Sequence, residues 1–466
     1  MSTQKEAQIS EKDAKFRDLV LHGNLWVVIF NVCLPLSLFQ LFNHAFNILD
    51  TMMASHVSAL AVSAVAYLSQ IQSMISAVGV GLAAGSTLKI SEAYGAGDFE
   101  MVKKRLSTLV TICFGLGALV LLCAQFTPVF LRFIGTPDEF IDIGTRYFVA
   151  TLLSTVLGFF NNVYIAIERS RGNSKRILKL NMVVIFIKLS LTAGFIYGLK
   201  GGVTMIAVAS VISQTFLFIC ATRNIFFSQG AFSFSKAYIS FKKEVLAPML
   251  LLSYPVIIEK VAFAFGKTVI NSMSKNYGAT TVGALGISNN INGCCTQMQN
   301  GFQDGGSAII SQLRGAGDVK RAIKVFWRVL IINMSLGLIM YILLNTFIWP
   351  ISSIFARSAN GFDYEFQKII VAVFKAESIG GCIPLGVNAA SMALFFGFGK
   401  TKLSLLSNFC RVFVFRIPIL WAFQHYSSMG SQAVGVVMAL SNALTGLFAF
   451  ILAMIVLWQE KKKLKN

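Results

Sequence analysis

Charge is scarce in this sequence. Asp, Glu, Lys and Arg make up 13% of its 466 residues, where a soluble chain carries about a quarter. So little polar sequence cannot coat a water-soluble globule, and with hydrophobic residues at 55% the expected solvent is lipid. Outer-membrane barrels are built from short alternating strands, and no such pattern runs through the chain. Residues 1–24 hold no apolar core and no small-residue cleavage site, so no cleavable signal peptide is expected. A complete Walker-type phosphate loop, a Cys/His cluster at metal-ligand spacing and a nucleophile paired with a base are all missing. These absences leave ATP hydrolysis and other catalysis without a basis, so neither an enzyme nor a cofactor site is expected.

What the sequence does have is long apolar runs. Crossing the hydrocarbon of a bilayer takes about 20 apolar residues per helix. Runs of that kind fall at 25–52, 59–93, 106–131, 143–167, 176–197, 203–226, 245–274, 281–312, 323–355, 369–397, 402–424 and 432–458, which is twelve, the second and eighth being the most polar. The predicted fold is an all-α membrane protein. The eight cysteines all lie inside these runs and read as reduced packing residues.

A net charge of +20 raises the question of nucleic acid, but the charge sorts by loop. Of the 40 basic residues, 27 fall in the two termini and alternate loops, while the intervening loops hold six: Arg132, Arg146, Lys200, Lys275, Arg357 and Lys368. That asymmetry puts both termini in the cytoplasm by the positive-inside rule and requires an even number of spans. The expected partners are a small-molecule substrate and the lipid bilayer, not nucleic acid, with the chain acting as a monomer.

The chain repeats itself. Gly81, Gly85, Ile90, Ser91 and Gly95-Ala96-Gly97-Asp98 recur without a gap as Gly301, Gly305, Ile310, Ser311 and Gly315-Ala316-Gly317-Asp318, an offset of 220 that also carries Pro35 onto Pro255. A second echo, at offset 227, links Gly172-Asn173-Ser174-Lys175 to Gly399-Lys400-Thr401-Lys402. Six spans per half make these parallel repeats, related by an axis along the membrane normal, with the substrate path expected between them. The expected divisions are a segment 1–24, a first lobe 25–227, a linker 228–244, a second lobe 245–459 and a basic tail 460–466.

Leu34-Pro35 and Asn47-Ile48-Leu49-Asp50-Thr51 in span one, Ala93-Tyr94-Gly95-Ala96-Gly97-Asp98 after span two, and Arg171-Gly172-Asn173-Ser174-Lys175 before span five carry a resemblance. With their second-half echoes, they resemble the multidrug and toxic compound extrusion (MATE) family over residues 20 to 460. The resemblance implies a V-shaped pair of six-helix lobes in a bacterial inner membrane. It also implies export by alternating access, driven by inward flow of protons or sodium. It gives Asp50 the coupling role. Lys188 and Thr192 stand where the family often carries Asn and Asp, and Ser210 where a family hydroxyl completes the site. A lysine ammonium would occupy the space of a sodium ion, so proton exchange through an Asp50–Lys188 pair is expected.

Charged residues at membrane depth cost a few kcal/mol each by insertion scales and are functional candidates by default. The nine are Asp50, Lys188, Glu259, Lys260, Lys267, Lys375, Glu377, Arg411 and Arg416, six basic against three acidic. A structural salt bridge is the plain alternative for any one of them. A cavity for lipophilic cations calls for acids and aromatics, whereas Lys260, Lys267, Arg411 and Arg416 would pair with an anionic group. Some family branches carry an acidic residue in span seven and another in span ten; those positions fall here on Phe263 and Leu385, with Glu259 and Glu377 as nearby replacements. The expected substrate cavity is therefore Glu259, Lys260, Lys267, Lys375, Glu377, Arg411 and Arg416. The expected function is a proton antiporter exporting a small amphipathic compound, anionic or zwitterionic. The alternatives are a flippase or exporter of a lipid-linked or polyanionic substrate, and a sodium-coupled multidrug cation exporter.

The loop asymmetry makes a prediction. In a variant stripped of its native cysteines, impermeant thiol reagent applied outside should label Gly135→Cys and Asn360→Cys and spare Asp98→Cys and Asp318→Cys. The reverse pattern would overturn the topology.

Overall fold

The computed structural model describes residues 9–54, 59–133, 138–199, 201–228, 230–358 and 361–464. Among these, nearly all secondary structure is helical. The first half holds α1 (Glu11–His22), α2 (Leu25–Ala54), α3 (Ala59–Ala96), α4 (Phe99–Ala124), α5 (Thr127–Phe133), α6 (Asp138–Ser170), α7 (Ser174–Ala193) and α8 (Val203–Phe226). The second half holds α9 (Lys243–Ser274), α10 (Ala279–Gly315), α11 (Val319–Thr346), α12 (Ile348–Phe355), α13 (Tyr364–Gly381), α14 (Ile383–Gly397), α15 (Thr401–Phe409), α16 (Ile417–Tyr426) and α17 (Gln432–Lys463). A two-stranded hairpin, β1 (Arg357–Ser358) with β2 (Gly361–Phe362), precedes α13.

Ten helices among the described residues are each long and apolar enough to cross a membrane. An eleventh span is α13 with α14, bent by 41° where Pro384 removes a backbone donor. The remaining expected span falls on α10, whose 37 residues are ample in length but rich in Ser, Asn and Gln. Those polar side chains have partners inside the protein: Gln299 Nε2 donates to the Cys382 carbonyl at the bend, at 2.7 Å, and to the Asn333 carbonyl.

Two compact units divide the chain. One comprises residues 1–35, 45–261 and 311–318; the other comprises 36–44, 262–310 and 319–466. In the first, α6 packs on α3, α4 and α8 around Tyr94, Leu106, Val110, Tyr164 and Leu217. In the second, α17 packs on α13 and α14, and α11 on α14, around Ile370, Phe374, Cys295 and Val437.

The repeat seen in sequence is a repeat of turns. Gly97 and Gly317 both adopt φ 81°, a conformation that side chains rarely tolerate. Each closes its helix alike: Asp98 N–H donates to the Ala93 carbonyl at 3.0 Å and Asp318 N–H to the Leu313 carbonyl at 2.9 Å. The second echo repeats this geometry, with Gly172 at φ 72° and Gly399 at φ 68°.

Glycine also sets how closely helices approach within the first unit. A Cβ at Gly95 would lie 1.9 Å from the Gln312 carbonyl oxygen, and one at Gly315 would lie 1.9 Å from the Glu92 carbonyl oxygen. The two contacts are counterparts at the repeat offset, so each copy of the Gly-Ala-Gly-Asp turn seats against the other's helix end. Ser311 Oγ donating to the Leu88 carbonyl and Gln312 Nε2 to the Ser170 carbonyl, both at 2.7 Å, fasten the same place.

Backbone cannot yield to a methyl group as a flexible side chain can. Gly95→Ala and Gly315→Ala should each destabilise by about 1–3 kcal/mol. Gly115→Ala, in a helix with nothing within 4 Å, should be neutral or stabilising. Thermal unfolding of the three purified variants checks this, and equal melting temperatures would contradict it.

Candidate functional site

Burying a carboxylate in an apolar bundle demands donors, and the second unit supplies them from neutral side chains. Glu377 on α13 is 2% exposed. Ser288 Oγ donates to one of its oxygens and Asn292 Nδ2 to the other at 3.4 Å. Ser288 and Asn292 are one helical turn apart on α10 and so share a face. Lys375 lies two residues before Glu377, about 200° around the same helix, and is left exposed there.

Two arginines converge beside this carboxylate because of a local departure from α-helix. Between α15 and α16, residues 410–416 form a widened turn of i→i+5 hydrogen bonding. In an α-helix, side chains five apart point about 140° away from each other; widening the turn swings them toward one side. Arg411 Nε and Arg416 Nη2 accordingly donate to the same acceptor, Asn442 Oδ1, at 3.1 and 2.6 Å. Arg416 Nε adds a bond to Ser441 Oγ at 3.0 Å, and Arg416 is 2% exposed. Glu377 lies within electrostatic reach of both guanidinium groups. Among the described residues, however, no carboxylate pairs with either at hydrogen-bond distance. Phe263 on α9 completes the group, with Arg411 Cζ 5.4 Å and Lys267 Nζ 5.3 Å from its ring centroid.

The other candidates belong to the first unit. Glu259 is buried at 4% exposure and Lys260, its side chain about half covered, reaches it at 3.8 Å. Thr192 on α7 is buried and Lys188, one turn earlier, is half-buried. Ser210 on α8 donates to the Ile206 carbonyl of its own helix at 3.1 Å. Asp50 belongs to α2, but its side chain lies outside the described residues. Of the seven residues expected in a cavity, the structure brings Lys267, Glu377, Arg411 and Arg416 into one unit's polar group.

Four participants were not among the sequence candidates: Ser288, Asn292, Ser441 and Asn442. The signal available for them was the Ser/Asn pairing inside apolar runs. A second polar cluster went unread at the start of the chain. Ser10 caps α1, and Asp13, buried one turn on, takes two bonds from Arg171 at 3.1 and 3.0 Å. Arg171 also reaches Glu168 at 3.0 Å, and the Tyr94 hydroxyl donates to the Asp13 carbonyl. Burial works against the Arg171 charge, but the Asp13 bonds and the Glu168 charge outweigh it and leave its pKa above the ordinary value.

A many-helix apolar bundle holding charged side chains in its interior is the construction expected of a membrane transporter. The MatE family model matches residues 35–193 and 255–422, and the chain belongs to that family, one of transporters rather than enzymes. It is a multi-pass membrane protein. A probable multidrug resistance protein of Bacillus subtilis, YoeA, is 23% identical over 360 residues, covering 75% of this chain and 76% of that protein. An FAD transporter of Shewanella oneidensis is 19% identical over 94% of this chain and 96% of its own length. A MATE crystal structure with bound MaL6 matches with a TM-score of 0.91 at 18% identity, covering 97% of this chain and all of that one. A Pyrococcus furiosus transporter of the MOP superfamily, described as having a binding pocket of reverse polarity, matches at 0.88 and 17% over 96% of this chain and 98% of its own. At such identities the structural likeness bears on the fold.

Proposed function

We propose that this protein is a secondary active multidrug-type exporter that moves small amphipathic compounds, anionic ones in preference, by alternating access in exchange for protons. Family membership supports efflux. The observation that carries the charge preference is the second unit's polar group, where two arginines, Arg411 and Arg416, act on a single carboxylate, Glu377, and Arg411 lies over the Phe263 ring. One relative is an FAD transporter, and FAD is itself an aromatic compound carrying phosphate groups.

Proton coupling is assigned to Asp50, with Lys188, Thr192 and Ser210 as its surroundings. Lys188 stands at a place where relatives hold neutral or acidic oxygen ligands, and a fixed ammonium there repels sodium. A carboxylate beside it can still gain and lose a proton. The protein is assigned to a bacterial inner membrane as a monomer with both termini cytoplasmic, and its two lobes to residues 25–227 and 245–459.

In proteoliposomes loaded with radiolabelled 2-naphthoate or with ethidium, an imposed pH gradient should drive transport, and a sodium gradient at constant pH should not. Asp50→Asn should abolish the response to pH. Lys188→Asn combined with Thr192→Asp should introduce a response to sodium. Transport by the unaltered protein driven by sodium alone would overturn the coupling assignment.

A further inference from the structure

The two arginines of the widened turn are not equivalent. Arg416 is enclosed, and two of its nitrogens are committed, one to Ser441 and one to Asn442. Arg411 commits one nitrogen, Nε, to Asn442. Its two terminal nitrogens make no hydrogen bond to any described residue, and the side chain is only partly covered. A guanidinium carries five donors in a planar fork whose outer edge matches the two oxygens of a carboxylate or the face of a phosphate. Here that edge is unspent.

Its surroundings are arranged to keep it so. Asn442 holds the guanidinium from behind by Nε, leaving the terminal edge directed elsewhere. Glu377, the carboxylate in reach, has its oxygens engaged by Ser288 and Asn292. Arg411 and Arg416 share that one carboxylate, and the charge of the three groups together is net positive. In a low-dielectric interior an uncompensated cation is costly, and an arriving anion relieves that cost. Depth limits the source of the anion. Arg411 lies ten residues into the Thr401–Tyr426 span, about 15 Å along the helix. The headgroup of a lipid resting in either leaflet does not come so deep.

We infer that Arg411 is the specificity-determining residue of the substrate site, its terminal nitrogens pairing with an oxyanion (a carboxylate, sulfonate or phosphate) whose apolar or aromatic body lies along Phe263. The oxyanion belongs either to a soluble amphiphile or to an anionic lipid drawn into the protein. Arg416 positions Arg411 through their shared acceptor. This inference rests on the anion preference proposed above and names the group that creates it.

The test is equilibrium binding to the purified full chain in nanodiscs of phosphatidylcholine, with no ion gradient, so a failure of coupling leaves it unaffected. Three probes share one ring system: 2-naphthoate, 2-naphthylmethanol and 2-naphthylmethylammonium. The protein should bind 2-naphthoate saturably and at least tenfold more tightly than the other two. Arg411→Gln should abolish that tenfold preference and Arg411→Lys restore part of it, whereas Lys368→Gln, at an exposed lysine near the start of α13, should leave it unchanged. Phe263→Leu should weaken all three probes together. Monodisperse elution and an unaltered melting temperature establish that each variant is folded. If phosphatidylglycerol added to the discs competes with 2-naphthoate in the unaltered protein, the oxyanion is a lipid's; if not, it is a soluble amphiphile's. An unaltered protein that binds the ammonium probe as well as the carboxylate, or an Arg411→Gln variant that keeps the preference, overturns the inference.

Discussion

A guanidinium with 2% of its surface exposed, Arg416, sits inside an apolar helical bundle, and much of the second unit is explained by the need to keep it there. Removing such a charge from water costs several kcal/mol even after relaxation. Neutral oxygens of Ser441 and Asn442 satisfy two of its donors. Glu377 balances part of its charge from farther off. The widened turn at 410–416 is a local sacrifice of α-helical geometry that delivers the side chain to those oxygens. α10, α13, α17 and the turn between α15 and α16 are thereby tied through one polar group. Such an arrangement gives the unit a defined interior where dispersion forces alone would specify little.

The first unit depends on a different constraint, the distance between backbones. Gly95 and Gly315 admit carbonyl oxygens where any side chain would clash. Because these contacts are counterparts at the repeat offset, one sequence device does the same work twice. The cluster of Asp13, Arg171, Glu168 and Tyr94 lies next to it. Arg17 donates to the Tyr94 and Gly95 carbonyls at 3.0 and 2.8 Å, so α1 is fastened to the end of α3 that the glycine contact positions.

Spans and repeat were readable from the residues because both rest on strong local signals. Apolar runs near 20 residues have one common solution in lipid, and a positive-φ glycine before a capping Asp marks a helix end wherever it occurs. Even polar α10 declared itself through the glycines it shares with α3. The site was legible only in part. Charges in apolar runs picked out Glu377, Arg411 and Arg416, since burial of charge is improbable without purpose. Their convergence was hidden, because periodicity places residues 411 and 416 on different faces and nothing in local sequence announces a widened turn. Ser288, Asn292, Ser441 and Asn442 were hidden for the opposite reason: neutral polar residues are common in transmembrane helices, and only the packing shows which of them meet a charge. α1 escaped because a short polar helix has no apolar run, and its docking rests on Asp13 meeting a residue 158 positions away.

The buried charges of the second unit act as one coupled set. A double-mutant cycle on Glu377→Gln and Arg416→Gln, read by denaturant unfolding in one detergent, tests it most directly. If the carboxylate and the guanidinium support each other, the double variant should lose less stability than the two single losses added together, by roughly 0.5–3 kcal/mol. Strictly additive losses would mean that Glu377 and Arg416 are held independently, and would contradict this account.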